Sequence, residues 1–225
     1  MFENLRNEID FFIRNKTKFS RKNFVETNPE LIERNRLENL YTKEILSKYF
    51  NQSYKKQVRI LDIGCKNWFY AKGEIEFFKN FCEEVFLDGV EIDAFRLYSN
   101  FYSRYEVAKF YTKGLENTSY IADNLLNIKE KYDYIVWILP FVIKEPHKYW
   151  GLPEKYFYPE KLLQHAYSLL KENGEMLIIN QGKTESQVQK LMLEKLNIRH
   201  EEIGEIKSEY FDYKNKRFVY FVKKY

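Results

Sequence analysis

Two hydrophobic periodicities divide the chain. In the first quarter, apolar residues recur at helical spacing. Leu5, Ile9, Phe12 and Ile13 mark one helix. Asn28-Pro29-Glu30 reads as the start of a second, with Asn as cap and Pro in the first turn. The stripe Leu31, Ile32, Leu37, Leu40, Tyr41, Ile45 and Leu46 follows and ends at Asn51-Gln52-Ser53. From residue 57 onward, short apolar runs alternate with helical patterns. Strands are expected at 58–63, 85–92, 119–122, 134–139 and 176–180, with helices at 74–81, 94–105, 159–170 and 185–196. The fourth strand has no polar alternation and is expected to be buried on both faces. A loop over 140–158, with Pro140, Pro146 and Pro153, is long for a strand–helix connection, and such loops tend to be functional. Two last strands, 201–211 and 217–223, flank the polar turn Tyr213-Lys214-Asn215-Lys216.

This alternation predicts an α/β fold with a seven-stranded, mostly parallel sheet and helices on both faces. The final two strands have no helix between them, so they must form an antiparallel C-terminal hairpin. Residues 1–55 form an N-terminal helical extension, a cap, and 56–225 form the α/β domain.

Composition narrows the class. At 225 residues and 44% hydrophobic, the chain can bury a core without disulfides or metals. Its two cysteines, Cys65 and Cys82, lack metal-ligand spacing and suit a reducing compartment. No His/Cys/carboxylate cluster suggests a metal site. No apolar run reaches membrane-spanning length, and no signal-peptide pattern opens the chain, so a cytoplasmic protein is expected.

Net charge is +4, unevenly placed. Residues 1–58 hold 12 of the 37 Lys and Arg and 8 of the 33 Asp and Glu, leaving 25 of each sign in the remainder. The basic window of residues 11–24 interleaves Phe11, Phe12, Phe19 and Phe24 with Arg14, Lys16, Lys18, Arg21 and Lys22. Cations for phosphates and rings for stacking suit RNA or another anionic partner. The plain alternative is a helical cap with buried Phe and solvated charges.

Candidate chemistry gathers at strand ends. Ile60-Leu61-Asp62-Ile63-Gly64-Cys65 is an apolar run closed by Asp-x-Gly, and Glu91 and Asp123 each follow a later apolar run. Ligands of open parallel sheets bind outside the carboxyl ends of the strands, where strand order reverses. With Gly89-Val90-Glu91-Ile92-Asp93, Ile121-Ala122-Asp123-Asn124, Tyr132-Asp133-Tyr134-Ile135-Val136 and the stretch from Leu169 to Ile178 containing Glu172-Asn173-Gly174, the ordered set resembles the class I S-adenosylmethionine-dependent methyltransferases, over roughly residues 56–225.

That resemblance implies a methyl transfer with S-adenosylmethionine as cofactor and an acceptor it does not identify. It also implies that the loop after Gly64, with Cys65, Lys66 and Asn67, holds the methionine part through backbone groups. Asp62 would orient that loop or meet the amino group. Glu91, beside Ile92, would accept from the ribose hydroxyls, and Asp123, beside Asn124, from the adenine amino group. Each carboxylate also has a structural reading: Asp62 satisfying loop N–H groups, Glu91 pairing with a cation, Asp93 capping a helix.

The family places two more glycines where this chain has Lys66-Asn67-Trp68-Phe69. A dinucleotide needs its pyrophosphate laid on bare backbone, so the gap argues against a dehydrogenase. It leaves open a fold retained as a binding protein without catalysis. Acceptor residues are expected beyond strand four, at Trp137, Leu139, Pro140 and Phe141, with Ile138 where enzymes that methylate amino groups of bases carry a polar residue. His147 is the candidate base, against its reading as a loop histidine. His165 and His200 read as structural. The cofactor reading requires Asp62, Glu91 and Asp123 to face one cavity that the Trp68 indole leaves open.

Overall fold

The structure, a computed structural model, describes residues 2–18 and 24–225. Seven strands form one sheet in the order β3-β2-β1-β4-β5-β7-β6. They are β1 (Lys55–Ile63), β2 (Cys82–Val90), β3 (Thr118–Ile121), β4 (Tyr132–Ile138), β5 (Leu170–Gln181), β6 (His200–Ile206) and β7 (Arg217–Lys223). The pairs β1–β2, β1–β4, β2–β3 and β4–β5 are parallel. β7 enters antiparallel between β5 and β6, which is the expected C-terminal hairpin.

Strand alternation assigns the core. Successive side chains point to opposite faces. Ile60, Tyr134, Val136, Leu177 and Ile179 meet α2 (Pro29–Tyr49) and α3 (Ala71–Lys79) on one face. Leu61, Ile135, Trp137, Met176 and Ile178 meet α6 (Pro159–Leu169) and α7 (Gly182–Lys195) on the other. Tyr41, Ile45, Leu46 and Phe50 of α2 belong to the first core, so this N-terminal helix is built into the sheet's packing. The first helix, α1 (Phe2–Thr17), buries Phe11, whose ring lies 4.9 Å from that of Tyr156.

Two expectations are corrected. The helix expected at 94–105 is absent there. α4 runs Arg104–Tyr111, started by Ser103, which accepts from the Glu106 backbone while the Glu106 carboxylate accepts from Ser103 N. Before it, Phe101 sits at φ 65°, a left-handed conformation that ends any continuous helix. The loop expected over 140–158 contains α5 (Lys144–Tyr149) and a 3-10 turn at Glu154–Tyr156. Pro146 is tolerated because it sits in the first turn of α5, where the missing N–H has no intrahelical partner to lose.

Candidate functional site

β1 pairs with β2 on one side and β4 on the other, so the connection out of the sheet reverses beside the carboxyl end of β1. A cavity of about 930 Å³ opens at that end. Its walls include Gly64, Lys66, Asn67, Glu91, Ile92, Asp123 and Asn124 from the ends of β1, β2 and β3. Trp137, Leu139, Pro140, Phe141 and His147 line it as well.

Asp62 and Cys65 do not line it, so of the three carboxylates expected to share one cavity only Glu91 and Asp123 do. Asp62 shares the parity of Ile60, so its side chain enters the core beneath the loop and is fully buried. There it lies with Glu74, itself fully buried, whose carboxylate accepts from Trp68 Nε1 at 2.9 Å. Burial pushes the pKa values of both carboxyls up, and the Asp62 charge pushes that of Glu74 further. Burial likewise holds the Cys65 thiol well above its usual range, so it is no nucleophile.

The loop without glycines keeps a glycine-type backbone. Gly64, Lys66 and Trp68 stand at φ 72°, 57° and 46°. Left-handed conformations cost a residue with Cβ roughly 1–2 kcal/mol each, so the loop must be held from outside. Lys66 N donates to Glu91 Oε2 at 3.0 Å, and the Tyr120 hydroxyl donates to the Lys66 carbonyl at 2.5 Å. Trp68 is completely buried and lies against Gly89, where an added Cβ would come within 2.7 Å of the indole. The indole therefore goes under the loop into the core and leaves the cavity open.

Glu91 is 7% exposed and accepts from both Lys66 N and Asp93 N. Burial raises its pKa, which the positive Arg104 opposes. A carboxylate has room for about four hydrogen bonds, so two remain for a ligand. Asp93 is fully buried and anchors three guanidiniums: Arg14 Nε at 2.6 Å, Arg96 Nε at 2.5 Å and Arg104 Nη1 at 3.4 Å. Arg14 comes from α1 and also donates to the Gly151 carbonyl, so this contact ties the N-terminal helix across the β2 end of the cavity. Trp150 completes this wall, with Arg104 and Lys66 over its ring at 4.9 and 5.2 Å. Burial lowers the pKa of Lys66. Asp123 is exposed and accepts from Asn124 N and Asn127 Nδ2.

At the other end the walls come from α2 and from β5 and β7. Arg34, Glu38, Tyr41, Gln181, Glu185, Tyr213 and Arg217 line the cavity there. Glu38 accepts from Arg34 Nε and from the Tyr213 hydroxyl, both at 2.8 Å. Between the ends, Leu139 stands at φ 59° and donates to the Ile179 carbonyl at 2.7 Å, which turns Pro140 and Phe141 toward the cavity. His147 is 3% exposed, packed edge-on to Phe141, and its Nε2 has no hydrogen-bond partner among the described residues. Burial pushes its pKa down to about 4, so it is neutral at pH 7 and too weak to draw a proton readily.

In the basic window, Arg14 is spent on Asp93, Lys16 lies over Phe12 and Lys18 over Phe95. Phe24 packs against Tyr102 and Phe110. Phe19, Arg21 and Lys22 lie outside the described residues. The periodicity of the sequence carried no signal for Arg14, Arg104, Trp150 or Arg217, which lie far apart in the chain and meet only through the sheet.

No protein-family model and no curated protein sequence matches this chain. Solved structures do resemble it. An S-adenosylmethionine-dependent methyltransferase from Aquifex aeolicus superimposes with a TM-score of 0.60 at 16% identity, over 88% of this chain and 99% of that one. Magnesium protoporphyrin IX methyltransferase from Synechocystis, solved with bound S-adenosylmethionine, gives 0.55 at 9% identity over 90% and 87%. An S-adenosylmethionine-dependent O-methyltransferase from Thermotoga maritima gives 0.53 at 12% identity over 90% and 68%. The chain has the class I methyltransferase fold.

Proposed function

We propose that the protein is a methyltransferase that binds S-adenosylmethionine at the β1–β2–β3 end of the cavity and an acceptor at the β5–β7 end, with residues 1–55 as a cap. One observation carries this reading: Gly64, Lys66 and Asn67, Glu91 and Asp123 come from three strand ends and line a single cavity. The residues present fit the cofactor. Glu91 keeps acceptor capacity for two hydroxyls, Ile92 and Leu125 offer apolar walls for a flat base, and the Trp68 indole is turned away. When bound, the sulfonium supplies an activated methyl group, so the protein needs mainly to align donor and acceptor in a dry pocket.

In this reading Glu91 holds the ribose, Asp123 and Asn124 flank the base, and the backbone of Gly64, Lys66 and Asn67 faces the methionine part. Asp62 acts through the loop it underlies. Trp137, Leu139, Pro140 and Phe141 form the wall past which the methyl group travels. His147 serves as a neutral part of that wall. Calorimetry on the full chain tests the cofactor half: S-adenosylmethionine and S-adenosylhomocysteine should both bind, competing for one site. A folded protein that binds neither at millimolar concentration would refute it.

A further inference from the structure

The acceptor end of the cavity holds a cation with no ion-pair partner among the described residues. Arg217 opens β7 and pairs in register with Gln181, the last residue of β5. Five strand-to-strand steps of about 4.8 Å separate β3 from β7, so Arg217 lies on the order of 20 Å from the Asp123 end. It is only 8% exposed. Its Nη1 donates to Gln181 Oε1 at 3.1 Å and to the Asn215 carbonyl at 3.2 Å, and its guanidinium lies 4.2 Å over the Tyr213 ring. These partners are neutral. No carboxylate forms an ion pair with it among the described residues. Glu38 is taken up by Arg34 and Tyr213, and Glu185 accepts from Gln181 N.

A buried guanidinium without an ion-pair partner is expensive to keep: burial lowers the pKa of Arg217, and the more distant charges of Glu185 and Glu38 offset that only in part. Nε and Nη2 make no hydrogen bond among the described residues, yet neither is sealed off, since Arg217 lines the cavity. That is one side of a planar fork, open to the space where an acceptor would lie. A second observation points the same way. Tyr41 is 5% exposed, lines the same end of the cavity, and has a hydroxyl with no partner among the described residues. Its ring packs edge-on against that of Tyr213, 5.1 Å away, and so belongs to the group around Arg217.

We propose that the methyl acceptor is a small carboxylic acid whose carboxylate docks on the open edge of the Arg217 guanidinium, with Tyr41 and Tyr213 beside it. This inference rests on the methyltransferase reading for the word acceptor, though not for the site. The acid must be small because Arg217 lies within the cavity, beyond the reach of a folded partner's surface. A singly charged carboxylate fits better than a phosphate dianion, because Glu38 and Glu185 line the same end of the cavity and repel the second charge.

The test is calorimetric titration of the full chain with benzoate, acetate and inorganic phosphate, each with and without saturating S-adenosylhomocysteine, and with benzamide as the neutral counterpart of benzoate. Benzoate should bind at least about tenfold more tightly than benzamide, the scale of a charge-assisted bidentate contact. Arg217→Gln should remove that preference and Arg217→Lys should restore part of it, with S-adenosylhomocysteine affinity and thermal midpoint close to wild type. Carboxylates that bind no better than benzamide overturn the proposal, as does a preference that survives Arg217→Gln. Phosphate binding more tightly than either carboxylate also overturns it, in favour of a phosphorylated acceptor. Loss of S-adenosylhomocysteine binding alone would sink the cofactor reading while the carboxylate preference still decides this one.

Discussion

The two ends of the cavity are built in opposite ways. At the β1–β2–β3 end the arginines of the wall form ion pairs. Asp93 carries three arginines, Glu91 takes two backbone N–H groups, and Lys66 and Arg104 lie over Trp150. At the β5–β7 end Arg217 hydrogen-bonds neutral groups only, and the Tyr41 hydroxyl has no partner, among the described residues. The first end is cross-linked by these contacts before any ligand arrives, which on the proposed reading suits a constant cofactor. The second keeps unused donors, and such groups discriminate between acceptors because a wrong one leaves them unpaired. On the proposed reading the open end sets specificity, and the closed end sets position.

This contrast can be broken at its strongest point. Asp93→Ala should cost about 3–5 kcal/mol of stability, because it leaves buried arginines uncompensated. Chemical denaturation measures it, and a loss under about 1 kcal/mol would mean the cluster is slack. A smaller effect separates two carboxylates at the closed end. Glu91→Ala should weaken S-adenosylhomocysteine binding by about 1–3 kcal/mol, both by losing the acceptor and by freeing Lys66 N. Asp123→Ala should cost under about 1 kcal/mol, since that group is solvated and already bonded to its own loop. Equal losses in calorimetry would overturn this ranking. The smallest effect is a gain. Lys66→Gly should add about 0.5–1 kcal/mol, the relief of a left-handed backbone less the extra freedom of glycine in the unfolded chain. A lowered thermal midpoint would show instead that the Lys66–Trp150 contact outweighs the strain.

The alternation of strand and helix was legible because burial follows period: the parity that put Ile60 and Leu61 on opposite faces can be counted along the chain. The same count, applied one residue further, turns Asp62 into the core, away from the cavity the motif suggested. The start of α4 was missed because a capping box at Ser103 outweighed an apolar spacing that favoured an earlier start. Lys66 and Trp68 looked like damage to a glycine loop, since a sequence shows a side chain without the backbone angle beneath it. Their left-handed conformation depends on Glu91, Tyr120 and the room left by Gly89, none of them neighbours in the chain.

By itself, then, the amino-acid sequence determined the α/β alternation, the closing hairpin and the strand ends at which Gly64, Glu91 and Asp123 stand, because these follow from local periodicity and chain connectivity. Only the tertiary structure decided which charges are matched. Arg14, Arg96 and Arg104 converge on Asp93 from α1, the β2–α4 connection and α4, whereas Arg217 forms no ion pair with a carboxylate among the described residues. Coulomb interactions act through space between groups whose separation along the chain carries no information about their distance.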